Sequence, residues 1–222
     1  SLAPSKNMYK TMQNQVAFRE GTQLLEQTNI DSSLVFGKGW SYGAEFFLKK
    51  NSGKFSGWVS YTLSWTYQQF KDLNYGEKFP FKYDRRHALS VVGTYELSEK
   101  WTLSADFVFS TGGAYTLPVG KVIVSDGGSL YDGVYYSYDQ RNNYRLNAYH
   151  RLDLGATYRK SRTIFKGKLP MVSEWVFSIY NVYSHKNPYF VYLTVDPVTQ
   201  KPQAKQVSLL PIIPSVTYNF KF

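Results

Sequence analysis

The sequence predicts an all-β fold, an antiparallel transmembrane β-barrel of about eight strands, and three observations support this prediction. Apolar and polar side chains alternate over long stretches, aromatic residues are abundant, and the connections between these stretches are short and long in turn. The alternation is clearest between Phe55 and Tyr67, where odd positions are mainly apolar and even positions mainly Ser and Thr. Since strand side chains point alternately to opposite faces, one face suits lipid and the other suits water. At about 3.3 Å per residue and a tilt near 45°, this segment can cross a hydrocarbon layer.

The composition favours a membrane barrel over the other classes that it could indicate. Aromatic residues make up 18% of the 222 residues, which is typical of the aromatic girdles of outer-membrane barrels. No stretch approaches the roughly 18 uninterrupted apolar residues of a membrane helix. The absence of Cys excludes disulfides and cysteine metal sites. The chain begins at Ser1 without an initiating Met or an apolar signal core, so we expect further sequence upstream.

The net charge of +10 raises the question of a nucleic-acid partner. The basic residues are scattered through predicted turns and loops, and no nucleic-acid-binding motif accompanies them. We therefore expect no nucleic-acid partner, and we assign the positive charge to barrel rims that meet anionic lipid head groups.

Eight segments carry the strand signals. They are residues 6–18, 39–50, 55–70, 87–97, 101–111, 150–159, 174–183 and 207–222. In the second, the residues predicted to face lipid are Trp40, Tyr42, Ala44, Phe46 and Leu48. In the fifth, they are Trp101, Leu103, Ala105, Phe107 and Phe109. In the last, Val216, Tyr218, Phe220 and Phe222 share one face, opposite Thr217, Asn219 and Lys221. No charged side chain falls on the apolar faces of the second and fifth strands.

The connections fall into two groups that alternate along the chain. Residues 51–53 and 98–100 are tight turns, and residues 160–170 form a moderate one. Residues 19–38, 71–86, 112–149 and 184–206 are long connections, rich in Gly, Asn, Tyr and charged residues. Short turns on one side and long loops on the other are typical of bacterial outer-membrane barrels, with the turns in the periplasm. Because the connection before the last strand is long, Phe222 is expected at the periplasmic rim.

Four segments, in order and spacing, resemble the carboxyl-terminal barrel region of TonB-dependent outer-membrane receptors, particularly those of Bacteroidetes. These segments are residues 36–45 (FGKGWSYGAE), 83–87 (YDRRH), 149–155 (YHRLDLG) and 213–222 (IPSVTYNFKF). The resemblance implies a 22-stranded barrel around an amino-terminal plug, which imports a scarce nutrient across the Gram-negative outer membrane with energy from TonB. Residues 1–222 would supply the last eight strands. The plug, TonB box and signal peptide have no counterpart in this chain.

The resemblance also implies partners. Outer-membrane lipid would surround the barrel, TonB would act through the missing plug, and a surface lipoprotein is a further partner that the resemblance allows. Val216, Tyr218, Phe220 and the terminal Phe222 resemble the signal that the barrel-assembly machinery reads. Two alternatives remain open: a complete eight-stranded outer-membrane barrel that serves adhesion or envelope integrity, and a soluble β-rich binding domain. Ser, Thr and Gly dominate the inward positions, which suits a wide lumen or a plug better than a closed eight-stranded interior.

The longest connection supplies the candidate ligand-binding residues. They are Tyr131, Tyr135, Tyr136, Tyr138, Tyr144 and Arg141. Amphipathic aromatic rings beside hydrogen-bonding groups can stack on and orient a sugar, a peptide or a chelate. The alternative is a loop that packs against its neighbours as a lid.

No arrangement of residues indicates catalysis, a metal or a cofactor. No Ser, His and acid constellation emerges, so we predict that the chain is not an enzyme. His87, His150 and His185 lie at or beyond the ends of predicted strands and are expected to pack at the interface or in loops. Five charged residues are predicted to face the lumen and to pair with the plug or with neighbouring strands: Glu45, Asp106, Arg151, Asp153 and Arg159.

Overall fold

The computed structural model of the chain describes residues 2–18, 34–124, 133–164, 169–196, 198–199 and 202–221, and strands dominate this part of the chain. In chain order they are β1 (Leu2–Phe18), β2 (Leu34–Lys50), β3 (Phe55–Phe70), β4 (Phe79–Pro80), β5 (His87–Glu96), β6 (Trp101–Ser110), β7 (Ala114–Tyr115), β8 (Gly120–Val124), β9 (Gly133–Ser137), β10 (Tyr144–Arg145), β11 (Tyr149–Ile164), β12 (Leu169–Tyr180), β13 (Pro188–Val195), β14 (Pro202–Ser208) and β15 (Ile213–Lys221). A short 3₁₀ turn covers Asn74–Gly76. No helix in the described ranges is long and apolar enough to cross a membrane.

Eight of these strands form one antiparallel sheet, which confirms the predicted all-β antiparallel fold. The order is β1-β2-β3-β5-β6-β11-β12-β15, and the short β4 adds to the end of β3. Each of the eight predicted strands corresponds to one strand of this sheet, and strands that follow each other in the sheet order are joined by a single connection. The strand ends joined by long connections therefore lie together at one end of the sheet, which we call the loop end. Within the described residues, β1 and β15 are the two edges.

Several predicted boundaries were wrong, and each has a local reason. β11 and β12 remain paired as far as Ile164 and Leu169, so the connection predicted at residues 160–170 narrows to residues 165–168, outside the described residues. Charged Lys160 and Arg162 suggested a turn, but their side chains stand at the end of the sheet, where they can reach water. β2 begins earlier than predicted, at Leu34, because Leu34 pairs with Phe18 of β1 and Gly37 pairs with Phe70 of β3.

The last two predicted strands also differ at their boundaries. β12 ends at Tyr180 because Asn181 takes a left-handed conformation, with φ of 52°. Val207 and Ser208, predicted to begin the last strand, belong instead to β14. Leu210 has φ of 58° and Pro211 lacks an N–H donor, so the ladder of β15 begins only at Ile213.

The long connections contain paired strands that the sequence pattern did not predict. β8 pairs with β9, β7 with β10, and β13 with β14, each antiparallel. The third and fourth long connections are therefore structured in their described parts. Their strands form three two-stranded sheets that are separate from the main sheet.

The register of the main sheet aligns the apolar positions of neighbouring strands. Phe46 lies opposite Tyr61, Tyr61 opposite Leu89, Leu89 opposite Phe109, and Phe109 opposite His150. Opposed residues share a face, so the apolar residues of neighbouring strands form one surface, here called the apolar face. Its larger members are Trp40, Tyr42, Phe46, Leu48, Val59, Tyr61, Leu63, Trp65, Leu89, Val91, Trp101, Leu103, Phe107, Phe109, Leu152, Leu154, Tyr158, Trp175, Phe177, Ile179, Val216, Tyr218 and Phe220.

This apolar face is open in the described structure. Phe46 is 44% exposed, Val216 61% and Phe220 57%. The buried apolar cluster lies elsewhere, at the loop end and on the side of the sheet opposite the apolar face. It consists of Val35, Phe70, Leu73 and Phe79. Many side chains of the apolar face are thus exposed in the described structure, whereas a soluble domain would bury such a face.

The opposite face carries the five charged residues that the sequence placed there. Arg151 Nε lies 2.9 Å from Asp153 Oδ2, and Arg159 Nε lies 3.4 Å from Glu174 Oε1 on β12. Asp106 lies opposite Asp153 in the register. Three of the five predicted charges, Arg151, Asp153 and Arg159, therefore form ion pairs within or between strands of this sheet, as expected for a polar wall.

Candidate functional site

The loop end is organised around Asp84, whose side chain is fully buried. The backbone N–H of Thr66 donates to Asp84 Oδ1 at 2.6 Å, and Arg145 forms an ion pair with Oδ2. Arg86 Nη2 lies 3.7 Å from the same oxygen. A buried carboxylate requires such compensation, because burying an unpaired charge is very costly. We call these four residues the Asp84 junction; it joins β3, the segment before β5, and β10.

The third long connection is held against the second by side-chain amides. Asn142 Nδ2 donates to the carbonyl of Pro80 at 2.7 Å, and the backbone N–H of Arg141 donates to Asn74 Oδ1 at 2.8 Å. Asn143 exchanges two hydrogen bonds with the backbone of Leu117, at 3.0 and 3.1 Å. These contacts substitute for a strand ladder where the backbone is irregular. The two connections therefore form one packed unit.

One glycine is required for this packing. A Cβ atom at Gly112 would lie 1.7 Å from the carbonyl oxygen of Leu146, a backbone atom. The neighbouring Gly113 accepts a hydrogen bond at 3.0 Å from the N–H of Leu146. The backbone segments at residues 112–113 and 146 approach too closely for any side chain at Gly112.

A cavity of about 430 Å³ opens between the two packed connections. Its lining residues are Lys71, Asp72, Asn74, Tyr75, Thr116, Tyr138, Asp139, Gln140 and Arg141. We call it the loop cavity. It combines two cations, two carboxylates, two side-chain amides and two phenol rings, and Tyr75 is 84% exposed. Such a lining can hydrogen-bond a polar ligand while a ring stacks on it.

The structure brings together two of the six predicted ligand-binding residues. Tyr138 and Arg141 line the loop cavity. Tyr144 is 46% exposed on β10 and is not among the lining residues. Tyr135 and Tyr136 belong to β9, where their backbones pair with Val122 and Lys121. Tyr131 lies outside the described residues. The ligand-binding role of all six stays a prediction.

Sequence reasoning missed the contribution of the second long connection. Four residues of this connection line the loop cavity: Lys71, Asp72, Asn74 and Tyr75. They are far in sequence from the lining residues of the third connection; Asn74 and Arg141, for example, are separated by 67 positions. The only local signal is the Asn-Tyr-Gly turn, in which Asn74, Tyr75 and Gly76 have positive φ of 52°, 56° and 75°. That signal predicts a turn but not its partner.

The last long connection is anchored by two buried asparagines. Asn181 receives the N–H of His185 at 3.0 Å and donates to the carbonyls of His185 and Leu210 at 3.0 and 3.1 Å. Asn187 exchanges two hydrogen bonds with the backbone of His150, at 2.9 and 3.0 Å. Asn187 therefore ties the start of this connection to β11, and Asn181 ties its start to Leu210 near its end. β13 also contacts the third connection, because Tyr115 donates its hydroxyl to the carbonyl of Val191 at 2.8 Å.

The histidines meet tyrosines at the loop end of the apolar face. His87 Nδ1 lies 2.7 Å from the Tyr61 hydroxyl, and His150 Nδ1 lies 2.9 Å from the Tyr183 hydroxyl. His150 also stacks on His185, with ring centroids 3.6 Å apart. In the described residues no cluster of three or more His, Asp or Glu side chains could hold a metal ion. The expectation of no metal and no cofactor stays a prediction.

Two groups in the last connection have shifted pKa values. Burial raises the pKa of Tyr183, and the Asp153 carboxylate adds to this effect, so the phenol keeps its proton. The backbone N–H groups of Thr199 and Val198 donate to Asp196 Oδ1 at 2.8 and 2.9 Å, which lowers the pKa of that carboxyl. The ionised Asp196 thus fixes the turn after β13 at neutral pH.

Three of the four residues compared with an assembly signal lie on one exposed side of β15. Val216, Tyr218 and Phe220 belong to the apolar face, and the Tyr218 ring packs against Trp175 of β12 in a tilted arrangement, with centroids 4.6 Å apart. Phe222 lies outside the described residues. Their role in assembly stays a prediction.

Comparisons of this chain with protein-family models, with curated proteins and with solved structures find no match.

Proposed function

We propose that this chain forms part of the wall and the extracellular loops of an outer-membrane β-barrel, a TonB-dependent receptor that takes up a scarce nutrient. The observation that carries the proposal is the apolar face, which continues in register across the sheet and stays exposed. Soluble monomers rarely expose apolar patches above roughly 300–600 Å². Lipid is the solvent in which such a face is stable, with the polar wall turned to a lumen.

The edges of the sheet also support a larger barrel. A strand edge in hydrocarbon would leave backbone N–H and C=O groups without partners, so a membrane sheet must close on itself. In the described residues β1 and β15 pair on one side only. We propose that further strands of the parent protein pair with both edges. The small Ser, Thr and Gly residues of the polar wall suit the wide, plugged lumen of such a barrel.

The loop end supports a role in ligand capture. The second and third long connections are packed into one surface by the Asp84 junction and the asparagine contacts, and that surface contains the loop cavity. We propose that the loop cavity contacts the nutrient before TonB acts on the plug. The step in which TonB delivers energy to the plug is proposed from the resemblance of four segments to TonB-dependent receptors.

Uptake assays with and without TonB test this function. In cells that carry the parent receptor, we expect growth on the limiting nutrient and uptake of the labelled nutrient to stop when TonB is removed, while surface binding persists. Candidate nutrients are screened with a receptor-deletion strain as the reference. Uptake that continues at the normal rate without TonB would contradict a receptor and favour a passive pore; surface adhesion without any uptake would favour the small-barrel alternative.

The contribution of the loop cavity needs a separate test. Replacing both Tyr75 and Tyr138 with Ala removes the two lining phenol rings and is expected to weaken surface binding about tenfold, since each ring contributes roughly 0.5–1.5 kcal/mol. Tyr83→Ala is the matched control, because this exposed tyrosine lies on the second long connection, like Tyr75, but not in the lining of the loop cavity. Equal loss in both variants would reject the loop cavity as the binding site.

A further inference from the structure

A second groove lies at the loop end, on the border of the apolar face. It encloses about 440 Å³ and is lined by Arg86, His87, Thr111, Gly112, Arg145, Leu146 and Ala148. We call it the rim groove. Its lining contains two guanidinium groups and a histidine but no carboxylate. It is distinct from the loop cavity, with which it shares no lining residue.

Arg86 connects this groove to the apolar face. Its guanidinium lies over the ring of Trp65, 4.7 Å from the ring centre, and its Nε donates to the carbonyl of Ser64 at 3.1 Å. Trp65 in turn stacks on Tyr42 of β2 with centroids 5.4 Å apart. Both aromatic residues belong to the apolar face. A cation above aromatic rings at the end of an apolar band is the arrangement found at a membrane interface.

The charges around the groove do not balance. Asp84 is the carboxylate that both arginines approach, and Arg145 forms the closer ion pair with it. The terminal nitrogen Nη2 of Arg86 remains 3.7 Å from Asp84, beyond hydrogen-bond distance. The Arg86 side chain is 31% exposed and that of Arg145 37%. The described residues thus leave an excess positive charge, with exposed donors, at the border of the apolar face.

We propose that the rim groove binds the phosphate group of an anionic lipid in the outer leaflet, with Arg86 as the principal contact. This inference rests on the proposed membrane location of the apolar face. Arginine donates a planar pair of N–H groups that matches the oxygens of a phosphate. The acyl chains of the same lipid would lie along the apolar face below Trp65, where they meet Tyr61 and Leu63. A lipid phosphate fits better than a free anion, because the groove opens beside this apolar surface.

The test uses the parent receptor folded in detergent, with diphosphoryl lipid A as the probe. Binding is measured by native mass spectrometry and by the rise in unfolding temperature on addition of the lipid. Arg86→Gln removes the charge and is expected to weaken binding about tenfold, the effect of losing one charge-assisted hydrogen-bond pair. Arg86→Lys keeps the charge but not the planar fork, and it should retain more binding than Arg86→Gln. Arg85→Gln is the matched control, because Arg85 donates to Ser110 Oγ at 2.8 Å, on the opposite face.

The outcomes separate the lipid site from the function on which it rests. A protein that does not form a heat-modifiable barrel would overturn both proposals. A folded barrel that binds dephosphorylated lipid equally well, or that loses binding equally in Arg85→Gln and Arg86→Gln, would overturn only the lipid site. Inorganic phosphate that binds as tightly as lipid A, and competes with it, would show an anion site without lipid and would also overturn the proposal.

Discussion

Replacing Asp84 with Ala is expected to destabilise the loop end by about 3–5 kcal/mol, the cost of breaking a buried charge network from one side. The variant leaves Arg145 and Arg86 facing each other without their carboxylate, and it removes the acceptor of the Thr66 N–H. Hydrogen exchange is the direct measurement. We expect the amides of Thr66 and Leu146 to lose protection, because both lie at the segments that the Asp84 junction joins.

Glu99→Ala provides the control for this substitution. Glu99 is an exposed carboxylate in the short turn between β5 and β6, and its loss should change stability by no more than about 0.5 kcal/mol. The amides in the middle of β3 should keep their protection in both variants, since the effect is local. Unchanged exchange at Thr66 and Leu146 in Asp84→Ala would contradict the organising role of this residue.

Placing an arginine on the two faces of β3 is expected to give unequal penalties. Leu63 lies near the middle of the strand on the apolar face, opposite Ala44 and His87. Leu63→Arg should therefore cost up to about 2 kcal/mol on folding into lipid vesicles, because Leu63 lies opposite His87 at the loop end and the penalty for a charge in lipid falls from roughly 2–4 kcal/mol at the midplane towards the interface. Thr62→Arg should cost less, because Thr62 lies on the polar wall opposite Glu45, which can pair with the new cation. Denaturant titrations of the folded protein in vesicles measure both values.

The neighbouring positions make this comparison stringent. The two residues are adjacent in sequence and at almost the same depth, so only the face differs between the variants. Equal penalties would reject a lipid-facing apolar face. The reverse order would show that the chain is folded with its polar wall outward.

The sheet could be predicted from the sequence because its signal is local. Alternation over Phe55–Phe70, and similar patterns in the other strands, fixes which residues share a face without knowledge of any partner. Short turns and long connections then fix the order of antiparallel strands, and the observed order agrees. The end of β11 at Ile164 was missed because its last residues are charged and resemble a turn. The start of β15 at Ile213 was missed because the prolines before it do not mark where the ladder begins.

The loop end could not be predicted in the same way, because its contacts are between distant residues. The ion pair between Asp84 and Arg145 spans 61 positions, and nothing in either segment specifies the other. The sequence shows that the third connection is rich in tyrosine. In the described residues, Tyr138 lines the loop cavity, whereas the backbones of Tyr135 and Tyr136 belong to a hairpin. Which residues of an irregular segment converge is decided by packing, and packing is a property of the folded chain.

Fluorescence quenching along β3 tests the central claim, that the apolar face meets lipid. The chain contains no Cys, so single substitutions from Val59→Cys to Thr66→Cys place one probe at a time on this chain. Each variant is labelled with an environment-sensitive dye and folded into vesicles that contain lipids with quencher-bearing acyl chains. We expect strong quenching at positions 59, 61, 63 and 65 and weak quenching at 60, 62, 64 and 66. Quenching that is absent from the odd positions, or uniform along the strand, would contradict a membrane-spanning sheet.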